Sequence, residues 1–196
     1  MYRTPLLAAL CLALGLAACQ SGTGPDSRPP LEGAKIGGPF ALIDGDGRPV
    51  TDRSFAGKYR VMYFGYTFCP DVCPVDVQTI AQGLAELEKR DPALAARVVP
   101  IFVTVDPARD TPAVLKQFTA AFSPRLVGLT GSPQAVAQAE KAYAVYASKG
   151  LASPGGYLVN HSRQTYLMDP DNRPLALVPQ DETPVAVADT IEKWAK

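Results

Sequence analysis

Cys69-Pro70-Asp71-Val72-Cys73-Pro74 carries the residues of this chain best suited to chemistry. A turn leading into a helix start exposes thiols to unpaired N–H groups and to the positive end of the helix dipole. Both favour thiolate, the form that acts as nucleophile and as metal ligand. Asp71 works the other way, because a carboxylate between the thiols raises their proton affinity until a cation arrives. That mixture suits a metal site better than a fast redox dithiol. Redox sites of the thioredoxin type place two residues between the cysteines; here three intervene, a wider loop that lets both sulfurs turn toward one ion.

His161 is the single histidine of the chain. Taken alone it is an ordinary surface or hydrogen-bonded residue. Its context is different: it follows the apolar stretch Tyr157-Leu158-Val159 and precedes a strand ending Tyr166-Leu167-Met168. In a thioredoxin-like fold the loop before that strand lies beside the cysteine turn. Two thiolates and one imidazole suit Cu(I), and Cu(II) if another donor joins. A blue-copper centre needs a second histidine, and structural zinc a fourth ligand. Catalytic zinc with a water, a structural disulfide and a thiol peroxidase stay open as alternatives. The disulfide would close too short a loop to stabilise much.

The elements that position these residues follow from pattern. Phe40–Ile43 and Arg48–Thr51 flank Asp44-Gly45-Asp46-Gly47 as a hairpin. Tyr59–Gly65 is β-branched and aromatic, a buried central strand that stops at the cysteine loop. Pro74 suits a first helical position, and Val77, Ile80, Leu84 and Leu87 follow at helical spacing. A strand is expected over Val98–Val105 and another over Leu126–Leu129, with helices opened by Thr111-Pro112 and by Ser132-Pro133. Strands at Thr165–Met168 and Leu175–Val178 and a helix from about Thr183 to Trp194 complete the chain. The expected fold is α/β, a thioredoxin-like three-layer sandwich with a mixed central sheet and an N-terminal β-hairpin.

Upstream, Arg3 and the apolar stretch Leu6–Ala18 read as an export signal. The stretch is shorter than the roughly 18–20 apolar residues of a permanent span. It ends in Leu16-Ala17-Ala18-Cys19, similar to a bacterial lipobox whose cysteine is acylated; a cleaved signal with an incidental cysteine is the alternative. Residues 1–18 are therefore expected to be signal, 19–35 a lipidated N-terminus and flexible tether, and 36–196 the folded domain. Gln20 after the lipidated cysteine leans toward an outer membrane. With Cys11 in the signal and Cys19 modified, the domain keeps Cys69 and Cys73. Nineteen basic residues balance nineteen acidic ones without a basic run, which argues against nucleic acid as a partner. A monomer is expected.

Three segments in order resemble the Sco/SenC family of copper proteins: Tyr63-Phe64-Gly65-Tyr66-Thr67-Phe68-Cys69-Pro70-Asp71-Val72-Cys73-Pro74, then Val105-Asp106-Pro107-Ala108-Arg109-Asp110-Thr111-Pro112, then His161-Ser162 with Tyr166-Leu167-Met168-Asp169-Pro170. The resemblance runs from about Phe40 to Trp194. It implies a membrane-tethered, periplasm-facing domain binding one copper per chain through Cys69, Cys73 and His161. It further implies a role in building the dinuclear copper centre of cytochrome c oxidase subunit II, with a periplasmic copper donor and a thiol reductant as partners. Asp106 matches the family's aspartate near the site and reads equally as a strand-to-helix turn residue before Pro107; Asp71 or Asp106 would support the site or contact a partner. Asp71 and Asp76 read more simply as a solvated helix start than as a partner contact. Asn160 stands where relatives often carry Asp. Copper delivery, reduction of the oxidase subunit's cysteines through a Cys69–Cys73 disulfide, and copper or redox sensing would all use the same residues.

Overall fold

In the computed structural model, residues 28–153 and 156–196 are described. The signal stretch, Cys11, Cys19 and the first part of the tether lie outside the described residues. An opening hairpin, β1 (Ala41–Asp44) and β2 (Pro49–Thr51), leads through a 3-10 turn (Asp52–Phe55) into β3 (Tyr59–Gly65) and α1 (Val72–Arg90). After a short α2 (Pro92–Ala95) come β4 (Val98–Thr104), α3 (Pro112–Ala120), β5 (Val127–Thr130) and α4 (Pro133–Ala142). A second hairpin, β6 (Ala147–Ser153) and β7 (Gly156–His161), precedes β8 (Thr165–Met168), β9 (Pro174–Val178) and α5 (Pro184–Trp194).

The main sheet runs in the order β2-β1-β5-β4-β3-β8-β9. It is mixed, as expected, because β3 pairs parallel with β4 and antiparallel with β8. All positions of β3 are buried, which is what a central strand covered on both faces requires. Tyr63 and Phe102 are register partners and so share a face; Tyr63 meets Asp76 of α1, and Phe102 meets Phe118 of α3. On the opposite face Phe64 stacks on Tyr143 at the end of α4. Helices α1 and α5 pack closely at Gly83, where an added Cβ would come within 2.4 Å of Val187. Glycine inside a helix costs about 1 kcal/mol relative to alanine, and here it buys the close approach of two helices.

Three helices begin in one way. Thr111, Ser132 and Thr183 cap α3, α4 and α5 by accepting from the amides of Val114, Ala135 and Ala186, each followed by proline. These are the Ser/Thr-Pro signals of the sequence, working as caps should. The start of α1 lacks such a side-chain cap bond, and that difference matters for the site.

Several expectations need correction. Helix α1 starts at Val72 rather than Pro74, so Cys73 lies inside its first turn. Residues 30–33, within the expected tether, form a turn, and the Leu31 amide donates to the Leu175 carbonyl at 3.0 Å. The β6–β7 hairpin was not expected, and His161 ends a strand rather than sitting in a loop.

Candidate metal centre

Cys69, Cys73 and His161 are brought to one place by three elements. Cys69 lies in the turn after β3, Cys73 in the first turn of α1, and His161 at the end of β7, opposite Ala147. Both cysteines are free thiols; Cys73 is buried and Cys69 partly exposed.

The uncapped start of α1 explains the sulfur geometry. The first amides of a helix have no partner within it, and Pro74, third in α1, has no N–H to satisfy. The Cys73 amide donates instead to Cys69 Sγ at 3.4 Å. The sulfur of Cys69 thus accepts a first-turn amide, as a serine or threonine oxygen does in α3, α4 and α5.

His161 is oriented by the backbone. Its Nδ1 lies 2.8 Å from the carbonyl oxygen of Ser162, an acceptor, so Nδ1 carries the proton and donates. Nε2 is left with its lone pair 3.3 Å from Cys73 Sγ. A ligating histidine needs this arrangement, with one nitrogen committed and the other free. The ring stands edge-on to Tyr66 and Tyr63, with centroids 5.8 Å and 6.5 Å away. The two ring nitrogens meet Ser162 and Cys73, not the side chain of Asn160.

Space for Cys73 comes from Gly65. A Cβ at that position would lie 3.2 Å from Cys73 Sγ and 2.7 Å from the Tyr63 ring.

The thiols differ in proton affinity. Cys69 is pulled down to about 3, first by a hydrogen bond from the Cys73 thiol and further by the amides of Cys73 and Asp71, against the opposing effect of burial. Cys73 is pushed well above an ordinary thiol, first by its hydrogen bond to Cys69 and then by burial. The pair therefore holds one proton, on Cys73, with Cys69 as thiolate. This reverses the expectation for Asp71: its residue is exposed, and what it gives Cys69 is a backbone N–H that lowers the thiol's proton affinity.

Asp106 is buried and is committed to two partners. It accepts from Tyr157 of β7 at 2.7 Å and forms a close ion pair with Arg109. Arg109 in turn lies over Tyr157, Phe68 and Tyr66, at 3.8, 4.9 and 5.7 Å from the ring centroids. Asp106 thus fastens the His161-bearing hairpin to the loop that carries Cys69. Asp110, unremarked in the sequence, is fully buried and accepts from Thr67 N, Thr67 Oγ1 and Thr104 Oγ1 at 3.1, 2.6 and 2.6 Å. It ties the start of the cysteine loop to β4.

Asp76 corrects the sequence more sharply. Far from being a solvated helix-start residue, it is fully buried. It accepts from the Tyr63 hydroxyl at 2.9 Å and from two nitrogens of Arg163 at 2.7 and 3.1 Å. No sequence signal pointed to Arg163.

Two sulfurs and an imidazole nitrogen form a soft donor set that fits copper. Cys73 Sγ lies 3.3 Å from His161 Nε2, and Cys69 Sγ accepts from the Cys73 amide at 3.4 Å; among the described residues no group of three His, Cys, Asp or Glu side chains stands in a metal-holding arrangement.

Comparison with known proteins agrees with this architecture. The SCO1/SenC family model matches residues 28–196. Protein SenC of Rhodobacter capsulatus is 46% identical over 177 residues, covering 89% of this chain and 75% of that protein. The chain spans about half the length of the mitochondrial relatives it matches. Among solved structures, Arabidopsis thaliana ScoI with copper bound is 36% identical with a TM-score of 0.76, over 81% of this chain and 96% of that one. Bradyrhizobium japonicum ScoI with copper bound is 41% identical with a TM-score of 0.73, over 81% and 99%. The fold is thioredoxin-like, and the chain belongs to the SCO1/SenC family.

Proposed function

We propose that the protein is a copper chaperone that carries one copper on Cys69, Cys73 and His161 and delivers it to the dinuclear copper centre of cytochrome c oxidase subunit II. The observation that carries this reading is the committed imidazole: Nδ1 donates to Ser162, and Nε2 faces Cys73 Sγ at 3.3 Å. A dithiol that only exchanged disulfides would have no use for it. Two solved relatives, ScoI of Arabidopsis thaliana and of Bradyrhizobium japonicum, are described with copper bound, which supports copper as the cargo.

Copper arrives from a periplasmic donor. It leaves by ligand exchange, an incoming thiolate adding before a sulfur of this chain departs. Cys69, partly exposed, is the ligand suited to leave first. Acylation of Cys19 would hold the domain at a membrane of the bacterial envelope, facing the periplasm.

A second reading is favoured by one observation, the unequal thiols. Cys69 as thiolate would attack a disulfide of the oxidase subunit, releasing one target thiolate and forming a mixed disulfide. Cys73 would lose its proton and attack Cys69 Sγ, releasing the second target thiolate and leaving a Cys69–Cys73 disulfide. An external thiol reductant would restore the dithiol.

Mixing copper-loaded chain with the reduced, metal-free copper domain of subunit II separates the readings. Delivery predicts that copper moves to the subunit and that His161→Ala abolishes the transfer. Reduction of an oxidised subunit by wild type and His161→Ala alike, with no copper moving, would replace delivery by the reductase reading.

A further inference from the structure

The Asp76–Arg163 pair, a buried carboxylate met by a partly exposed arginine, is not used by either mechanism, yet it lies at the junction of both ligand-bearing elements. Asp76 sits three residues after Cys73 on α1, and Arg163 two residues after His161. Asp76 Oδ1 accepts from one terminal nitrogen of Arg163 at 2.7 Å, and Oδ2 from its Nε at 3.1 Å, a forked contact with fixed geometry. The same Oδ2 accepts from Tyr63, whose ring faces His161 edge-on. On its far side, the Arg163 carbonyl accepts from buried Gln180 at 2.8 Å. The carboxylate is about 1% exposed while the guanidinium is 42% exposed. Burying a carboxylate so deeply is costly unless it is paired, so the Arg163 segment is held where it can reach.

From this geometry we infer that Asp76 and Arg163 are positioning residues for His161, fixing the imidazole against Cys73 by clamping the segment after β7 onto α1. The inference rests on the copper reading above, since it assigns the clamp a role in metal binding. Among the described residues the other restraints on that segment are Ser162 to Tyr146, within the hairpin, and Gln180 to the Arg163 carbonyl, and neither reaches α1. Residues that orient a ligating histidine commonly change metal affinity by about 10- to 100-fold when replaced.

The test uses the full chain, reduced and metal-free, in four forms: wild type, His161→Ala, Asp76→Asn/Arg163→Met, and the triple combination. The paired replacement removes both charges together, which avoids an unpaired buried carboxylate; Arg163→Lys serves as the conservative variant. Cu(I) affinity is measured by competition with a chromophoric chelator, and nitrogen hyperfine coupling by electron paramagnetic resonance of the Cu(II) form. The expected result is a loss of about 10- to 100-fold in affinity for the paired replacement, with weakened nitrogen coupling and partial recovery in Arg163→Lys. In the His161→Ala background the same replacement should cost less than about twofold, because residues acting through one group are not additive. Wild-type affinity and coupling in the paired variant would overturn the inference, as would equal losses with and without His161. If wild type holds no copper, or His161→Ala holds it equally well, the copper reading itself fails and the clamp falls with it.

Discussion

Cys73 and Cys69 stand four positions apart and sit in opposite surroundings. Cys73 is fully buried, against Gly65, beside Tyr63, with the imidazole of His161 on it. Cys69 lies between Phe68, which is 49% exposed, and Pro70, also exposed. The buried half is built from β3, α1 and the end of β7 and locked by Asp76. The open half is a turn, tethered at its start by Asp110 and flanked by Arg109. A carrier needs both kinds of environment: one side to hold the cargo's ligands in register and one through which a partner's ligand can enter. The division also sets the proton placement, with the thiol on the dry side and the thiolate on the wet one.

If the buried half is the rigid one, the largest effect should come from crowding it. Gly65→Val would drive side-chain atoms into the Tyr63 ring and Cys73 Sγ, and Tyr63 cannot yield freely while it donates to Asp76. Overpacking of this kind costs about 3 kcal/mol, read as a lowered midpoint in thermal unfolding. An unchanged midpoint would mean that the site around Cys73 is looser than its burial indicates.

The tether of the open half should matter less. Asp110→Ala strips partners from the Thr67 amide and from the hydroxyls of Thr67 and Thr104. A destabilisation of about 2 kcal/mol is expected for the buried groups left unsatisfied, together with faster amide hydrogen exchange at Thr67 and Cys69. Exchange that quickens instead around Cys73 would show that the two halves are not separate.

The smallest change is expected in the pH dependence of thiol alkylation. With Cys69 pulled down to about 3, its thiolate is already complete near pH 5, so raising the pH adds no reactive form. Its alkylation rate should vary by less than about threefold between pH 5 and 8, whereas an ordinary thiol, titrating near 8.5, would gain several-hundredfold. An ordinary profile at Cys69 would remove the proposed asymmetry.

The sequence was legible where one property decides a residue's place. Tyr59–Gly65 could be read as central because every side chain in it is apolar, aromatic or able to bury its stem, and it is buried throughout. Thr111, Ser132 and Thr183 could be read as caps because a cap is a local bond. The cysteines and His161 stood out by residue type. Illegible were the residues whose role depends on a distant partner. Asp76 looks like a solvated carboxylate until the fold brings Arg163, 87 positions away, beside it. Ala147–Ser153 has no alternation of apolar residues, because its strand pairs only with β7 in a sheet of two, so the hairpin that carries His161 left no periodic trace. Asp71 misled for a further reason: its backbone, not its carboxylate, acts on Cys69.

The central claim, that two sulfurs and one imidazole form a single copper site, is tested most directly by titrating Cu(I) into the reduced full chain beside Cys69→Ser, Cys73→Ser and His161→Ala. One tightly bound copper per wild-type chain is predicted, with binding abolished by either cysteine change and weakened by about 10- to 100-fold or more without His161. Tight binding that survives Cys73→Ser, or a wild-type chain that retains no copper against the competing chelator, would contradict the account.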